Sequence, residues 1–397
     1  MQPNQPTPGI AVGAAACLLL VVHGLGRFIY TPLLPLLVGD GQLSVVQAAD
    51  LASWNYVGYL LGALVAIRWH SPQHLRAAIP AALLLHCATL LCLTQSNQFS
   101  SLLILRLGNG LSNGMIFVMV PSLLMEWLAA RQRIALSGLA YLGVGGGLVI
   151  SGLLANPPAL DLHAAQRWWP AAMLSIPLAI WGAWILSRLQ LSAEHQQQIT
   201  TRRALFDRQS LPLFLAYAGA GLGYILPMTF LPMIASLRLG EEHPMVSQSW
   251  IILACATLPS AWVWNKLGQR MGDRNALLVN YAIQSASVFA ALLLPSAIGL
   301  PVCALLMGSS FLGAVLLTQR LGRALQPEQG PRLSAALIAL YGLTQLLAPW
   351  FARMWLDQGG QLPETLWLGG GALVWSLVWM LRVRQPKTPQ VEPTVAG

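Results

Sequence analysis

Apolar residues run through this chain in long blocks separated by short polar breaks. A helix that crosses a bilayer needs about 20 mostly apolar residues, and twelve blocks fit that length. In the first half they lie near 10–38, 44–67, 76–96, 99–127, 133–155 and 169–189. In the second half they lie near 210–237, 246–266, 275–296, 299–322, 333–356 and 364–383. One longer polar stretch, QLSAEHQQQITTRRALFDRQ at 190–209, divides the chain near its middle. The expected organisation is a six-helix half over 1–189, a linker over 190–209, a second six-helix half over 210–384 and a tail over 385–397.

The two halves echo each other. GLGRFIYTPLLPLL begins at Gly24 and GLGYILPMTFLPMI begins at Gly221, an offset of 197. The ungapped pair shares Gly24/Gly221, Leu25/Leu222, Gly26/Gly223, Leu34/Leu231 and Pro35/Pro232. Chance similarity between two Leu- and Gly-rich helices is the alternative, but both segments open a six-span half. The expected fold is therefore an all-α membrane protein of 12 transmembrane helices, built as two six-helix halves in a pseudo-twofold parallel repeat. Transporters of this architecture bind substrate near the bilayer midplane, between the halves.

Composition agrees. Only 9% of the 397 residues are charged and 56% are hydrophobic, whereas soluble domains carry about 25% charged residues. The net charge of +9 raises the question of a nucleic-acid partner. The basic residues are spread over interhelical loops rather than gathered with aromatics, which excludes that reading. Seventeen Lys and Arg fall on one side of the twelve spans and only Arg167 and Arg238 on the other. The positive-inside rule then puts both termini in the cytoplasm of a multi-pass cell-membrane protein, expected in a bacterial inner membrane. The start, MQPNQPTPG, has no basic residue and is not a secretory signal. Cys17, Cys87, Cys92, Cys255 and Cys303 form no metal-ligand spacing, so neither a metal nor a cofactor is expected. Trp168, Trp169, Trp350, Trp355, Trp367 and Trp379 sit near span ends, as interfacial rings do.

Local motifs add a family resemblance. NKLGQRMGDRN at 265–275 resembles the loop signature G-x-L-x-D-R-x-G-R of the major facilitator superfamily through Leu267, Arg270, Gly272 and Arg274, with Gln269 in place of the usual acid. The equivalent loop after span 2, IRWHSPQHLR, is more degenerate. RLGNGLSNG at 106–114 resembles the R-x-x-x-G pattern of span 4 through Arg106 and Gly110. GVGGGLVISG at 143–152 resembles the Gly-rich antiporter signature without its proline, and Gly143, Gly147 and Gly152 serve equally well as close-packing positions. GRFIYTPLLP at 26–35, NYVGYLLG at 55–62 and GYILPMTFLP at 223–232 together resemble the YbfB/YjiJ-like branch of the superfamily. The resemblance spans the chain and implies a transporter, with spans 1, 4, 7 and 10 lining a central cavity.

Charges inside the spans are the candidate chemistry, because a charge at the bilayer centre costs from about 2.5 to more than 10 kcal/mol. Arg27 has about eleven residues, or about 17 Å, between it and the end of its span, too far to snorkel. Arg106 lies about eight residues into span 4. Asp50 is the acid available in the first half, about two turns into span 2 after a Ser44–Gln47 capping box. Two readings stand open: a structural ion pair of Asp50 with Arg106 or Arg27, and a proton-coupling pair of Asp50 with Arg106. Arg353 either snorkels or faces the cavity. His23 and His86 read as interior histidines and Glu126 as a helix-end charge. Tyr30, Asn55, Tyr56, Tyr59, Asn109, Asn113, Tyr224 and Thr229 complete the expected substrate cavity, with Thr31 and Tyr217 nearby. Pro32, Pro35, Pro227 and Pro232 interrupt helix hydrogen bonding and, with Gly143, Gly147, Arg270 and Gly272, are the expected conformational positions.

No HExxH, GxSxG or P-loop is present, so neither an enzyme nor a direct ATP motor is expected. The expected function is a secondary transporter of a small organic solute by alternating access, monomeric in the lipid bilayer. It is expected to be coupled to protons, in the direction of export if the Gly-rich signature holds. Two fixed arginines favour an anionic or carboxylate-bearing solute. The alternatives are an efflux pump for apolar drugs and a non-transporting membrane sensor.

Overall fold

The computed structural model describes residues 5–68, 72–157, 159–189, 207–326 and 330–384. Most of the 190–209 linker, the 385–397 tail and part of the 67–76 loop lie outside the described residues. The regular elements are helices: α1 (Pro8–Gly39), α2 (Val45–Arg68), α3 (Pro72–Leu93), α4 (Phe99–Ala129), α5 (Leu142–Ala155) and α6 (Trp169–Ser187) form the first half. The second half comprises α7 (Leu211–Leu239), α8 (Met245–Met271), α9 (Asp273–Leu293), α10 (Ser296–Leu325), α11 (Gly330–Asp357) and α12 (Thr365–Arg382).

Among the described residues, nine of these spans are long and apolar enough to cross a membrane on length and composition alone. The other three are α2, α3 and α11. Asp50 lies within α2, and Arg353 lies in the last turns of α11, which ends at Asp357; this pair of helices returns below. The outer surface is greasy: Leu84 and Ile104 are 73% and 70% exposed, an arrangement that lipid stabilises and water does not. An even number of crossings returns the chain to its starting end, called here the terminal end, opposite the far end.

Helix starts follow local chemistry. Thr7 accepts a hydrogen bond from the Ile10 amide ahead of Pro8 in the first turn of α1. Ser44 and Gln47 form the expected capping box of α2, with Gln47 N donating to Ser44 Oγ (3.2 Å) and Ser44 N to Gln47 Oε1 (2.9 Å). The expected helix over 133–155 differs: Ile134–Tyr141 is a tight 3-10 segment before α5 begins at Leu142.

Small residues set the interhelical distances. A methyl group added at Gly58 would stand 2.1 Å from the Leu107 carbonyl oxygen, and one at Gly110 would stand 2.0 Å from that of Asn55. Those glycines bring the backbones of α2 and α4 together. The same device joins α5 to α1, where a methyl at Gly143 would lie 1.9 Å from the Ala16 carbonyl and one at Gly24 would lie 2.4 Å from Gly147 Cα. Gly143 and Gly147 are thus packing positions here. At Leu20–Phe28, α1 widens to a π-helical turn, closed by an Ile29 N–H to Gly24 carbonyl bond of 2.9 Å.

The halves meet along α1 and α7, α2 and α11, and α5 and α8. Thr31 Oγ1 donates to the Met228 carbonyl at 3.2 Å. These positions are 197 apart, the offset of the sequence echo. Equivalent positions of two repeats touch only near the axis that relates them, so this contact marks the pseudo-twofold axis.

Candidate functional site

The widened turn of α1 delivers Arg27 into the seam between the halves. Arg27 as a whole is 3% exposed. The guanidinium carbon lies 4.5 Å from the ring centroids of both Tyr56 and Tyr59 and 5.2 Å from that of Phe28, so three ring faces replace part of its hydration. Nη2 donates to Oε1 of Gln345 on α11. Gln345 Nε2 in turn donates to the Tyr224 hydroxyl at 2.8 Å. Arg27 thus connects, through one amide, to the residue at its own repeat position in the other half. Among the described residues its Nε has no hydrogen-bond partner.

Arg106 occupies a second polar centre. Nη1 donates to the Gly26 carbonyl at 3.0 Å, and the guanidinium faces Tyr30 (4.7 Å) and Trp168 (5.7 Å). Its Nε likewise has no hydrogen-bond partner among the described residues. Asn55 Nδ2 donates to the Arg106 carbonyl at 3.0 Å. Asn109 Nδ2 donates to Thr89 Oγ1 at 3.3 Å. Ser112 Oγ lies 3.0 Å from His86 Nδ1, and Asn113 Oδ1 lies 2.9 Å from His23 Nδ1. His23 also stacks on Phe117 at 4.3 Å. Both histidines are therefore interior residues with polar neighbours.

The ten expected cavity residues converge, but as a packed cluster. None of Arg27, Tyr30, Asn55, Tyr56, Tyr59, Arg106, Asn109, Asn113, Tyr224 and Thr229 exceeds 5% exposure. In the conformation described, these residues pack against one another. The reason is direct partnering: Tyr56 Oη and Thr229 Oγ1 lie 2.8 Å apart across the halves, and Tyr30 donates to the Ala48 carbonyl at 2.8 Å.

Asp50 also departs from expectation. Its Oδ1 lies 3.0 Å from Arg353 Nε, and the same nitrogen lies 3.4 Å from Asp357 Oδ2. Neither Arg106 nor Arg27 is its partner. Asp50 stands five residues from the far end of α2, about 8 Å, whereas Arg27 is about 18 Å from the far end of α1. Arg106 points instead to Gly26 and Trp168. The ion pair joins α2 to α11 across the seam, and Arg353 reaches it from the last turns of α11. Among the described residues, no carboxylate lies within ion-pair distance of Arg27 or Arg106.

The conformational positions divide. Pro35, Pro227 and Pro232 lie inside helices, and Pro32 stands one residue beyond the axis contact at Thr31. Gly272 takes φ +82° in the turn from α8 to α9, a conformation that favours glycine. Arg270 is exposed. The acid missing at Gln269 has a spatial replacement in Asp273, whose Oδ1 lies 3.2 Å from Arg320 Nη2. Arg320 Nη1 also donates to Asn265 Oδ1 at 2.6 Å, tying α8, α9 and α10 together.

The family description "Uncharacterised MFS-type transporter YbfB" matches residues 19–381. The chain belongs to the major facilitator superfamily, in that YbfB-like family. Solved structures agree on the fold of this transporter. A D-xylose–proton symporter superposes with TM-score 0.75 at 14% identity, covering 96% of this chain and 98% of the other. The inward-open xylose transporter XylE from E. coli gives 0.74 at 13% identity, covering 96% and 97%. Among sequences, the hexuronate transporter of Bacillus subtilis (strain 168) is 22% identical over 92% of each chain. The probable anion transporter 5 of Arabidopsis thaliana is 23% identical over 41% of this chain, which spans 38% of that protein.

Sequence reading of this YbfB-like transporter missed the α11 contribution. Tyr341 and Gln345 stand four apart on one helix face. Asn55 and Tyr59 have the same spacing on α2, so the signal was present. Phe311 of α10 was invisible because an aromatic in an apolar run looks like core. Tyr217, Tyr341, Tyr224 and Phe311 form a near-parallel stack with successive centroids 4.3, 5.2 and 5.4 Å apart. Among the described residues no group of three or more His, Cys, Asp and Glu gathers as metal ligands.

Proposed function

We propose that this transporter moves an organic anion by alternating access, with Arg27 as the carboxylate-binding group and Arg106 holding the neighbouring field positive. The observation that carries the reading is two buried guanidiniums, Arg27 in the seam and Arg106 beside it within the first half, each with an Nε that has no hydrogen-bond partner among the described residues and neither with a described acidic partner. An Arg fork binds a carboxylate through two charge-assisted hydrogen bonds. Such a ligand supplies the countercharge that the protein withholds. The names of two relatives, a hexuronate transporter and a probable anion transporter, support this solute class. The terminal end is the cytoplasmic side, in keeping with the distribution of Lys and Arg, and the protein works as a monomer in a bacterial inner membrane. Asp50 carries the coupling proton: when it is protonated, the pair with Arg353 opens and the far ends of α2 and α11 part.

Purified protein in proteoliposomes tests the reading with D-glucuronate as the probe. Flux is expected for wild type and absent for Arg27→Gln; unchanged flux in that variant refutes the role of Arg27. A pH gradient is expected to accelerate uptake. The four-ring stack favours one rival, efflux of apolar ring compounds. Movement of a neutral aromatic dye without any movement of glucuronate selects that rival.

A further inference from the structure

We infer that Gln345 is an internal stand-in for the ligand's carboxylate, displaced from Arg27 when the anion binds. The inference rests on the anion reading above and identifies the residue that ties ligand binding to the seam.

Gln345 is 4% exposed and its two amide atoms are both used. The oxygen accepts from Arg27 Nη2, and the nitrogen donates to the Tyr224 hydroxyl at 2.8 Å. An amide oxygen has the shape and acceptor geometry of a carboxylate oxygen but no charge. A carboxylate adds to the hydrogen bond a full Coulomb attraction that a neutral amide lacks, and its two oxygens can engage the guanidinium fork together. A carboxylate arriving at Arg27 therefore outcompetes the amide, while in its absence the amide keeps the guanidinium from standing bare. A glutamate at 345 would have made a permanent ion pair and closed the site to anions. A leucine would have left a cation with ring faces alone. Glutamine is the side chain that occupies the guanidinium and still yields.

The displacement has a mechanical consequence. Arg27 belongs to the first half and Gln345 to the second, so their bond is one of the seam contacts. Gln345 lies on α11, two helical turns from Arg353 and its pair with Asp50. Releasing the amide removes the link between α1 and α11 beside that pair. The freed amide remains hydrogen-bonded to Tyr224, within the ring stack, so it withdraws with its own half. Ligand binding thereby weakens the seam without any ligand contact to α2.

Isothermal titration of D-glucuronate into wild type, Gln345→Leu, Gln345→Glu and Arg27→Gln tests this, with Gln345→Met replacing the leucine variant if that one does not fold. Removing the internal competitor in Gln345→Leu is expected to tighten binding roughly tenfold, the equivalent of one hydrogen bond. Gln345→Glu is expected to abolish binding. Equal weakening in both variants overturns the inference, because it marks Gln345 as a direct ligand contact or a structural residue. Binding by wild type, none by Arg27→Gln and unchanged affinity in Gln345→Leu overturns this inference alone. No glucuronate binding by wild type overturns the anion reading and this one with it. Spin labels at the exposed far-end positions Asn97 and Gln358 give a second readout. The interlabel distance is expected to shift with glucuronate in wild type and to be shifted already, without ligand, in Gln345→Leu. A distance that ignores both also overturns the inference.

Discussion

A guanidinium withdrawn from water and left among apolar side chains is among the costliest groups a membrane protein can hold. Arg27 recovers part of that cost from three aromatic faces and one amide oxygen. The planarity of the group is what makes this possible, since Lys offers a compact, strongly hydrated charge. Arg27→Lys is therefore expected to keep the protein folded and to lower glucuronate flux at least tenfold, measured in proteoliposomes. Asp40 is the contrasting case, a carboxylate outside the spans. Burial pushes it up, but Arg167 Nε and Nη2 and the Ala164 N–H donate to it at 2.5, 2.8 and 2.6 Å. The net effect holds it below the ordinary carboxylate range. A depressed pKa contributes stability that is complete above the ordinary range and is lost as pH falls through the folded value. Asp40→Asn is thus expected to cost about 1.5–3 kcal/mol near pH 7. Its melting curve should converge on that of wild type as the pH falls below the ordinary carboxylate range. Arg27 was legible as a residue needing a partner, but its partner was not, because Gln345 lies 318 positions away.

At the scale of elements, the close approach of α1 and α5 is fixed by what their glycines lack. A side chain at Gly147 would meet Gly24 Cα at 2.9 Å and the Leu20 carbonyl at 3.1 Å. Gly147→Leu is expected to lower the melting temperature sharply and to abolish transport together with folding, whereas Gly146→Leu, with open space around it, is expected to leave both near wild type. Helices α2 and α11 carry the opposite kind of contact, an ion pair that a proton can open. Asp50→Asn is expected to leave glucuronate counterflow intact while removing the acceleration by a pH gradient. Carboxylate-sensitive infrared spectroscopy on wild type is expected to give a pH-dependent Asp50 band between pH 4 and 9; its absence removes Asp50 from the coupling mechanism. The capping box of α2 and the glycine turn before α9 were readable because both are local. The acid that stands in for Gln269 was not, because Asp273 belongs to the next helix and faces Arg320 of a third.

For the whole molecule, the pseudo-twofold arrangement predicts a shared axis, and Thr31 and Met228 lie beside it. Cysteines introduced at these two positions are expected to cross-link in the form described, and glucuronate is expected to slow the reaction. The sequence by itself determined the twelve spans, the division into halves and the repeat offset, because hydrophobic run length and local identity are properties of consecutive residues. It also singled out Arg27 and Arg106, because a permanent charge in an apolar run is costly wherever the chain goes. Only the tertiary structure decided who answers those charges. Asp50 met Arg353 rather than either buried arginine, and Gln345 met Arg27, because partners in a helical membrane protein are chosen by depth and facing direction across the seam. Neither depth nor facing is written in the order of residues until α2 and α11 stand side by side.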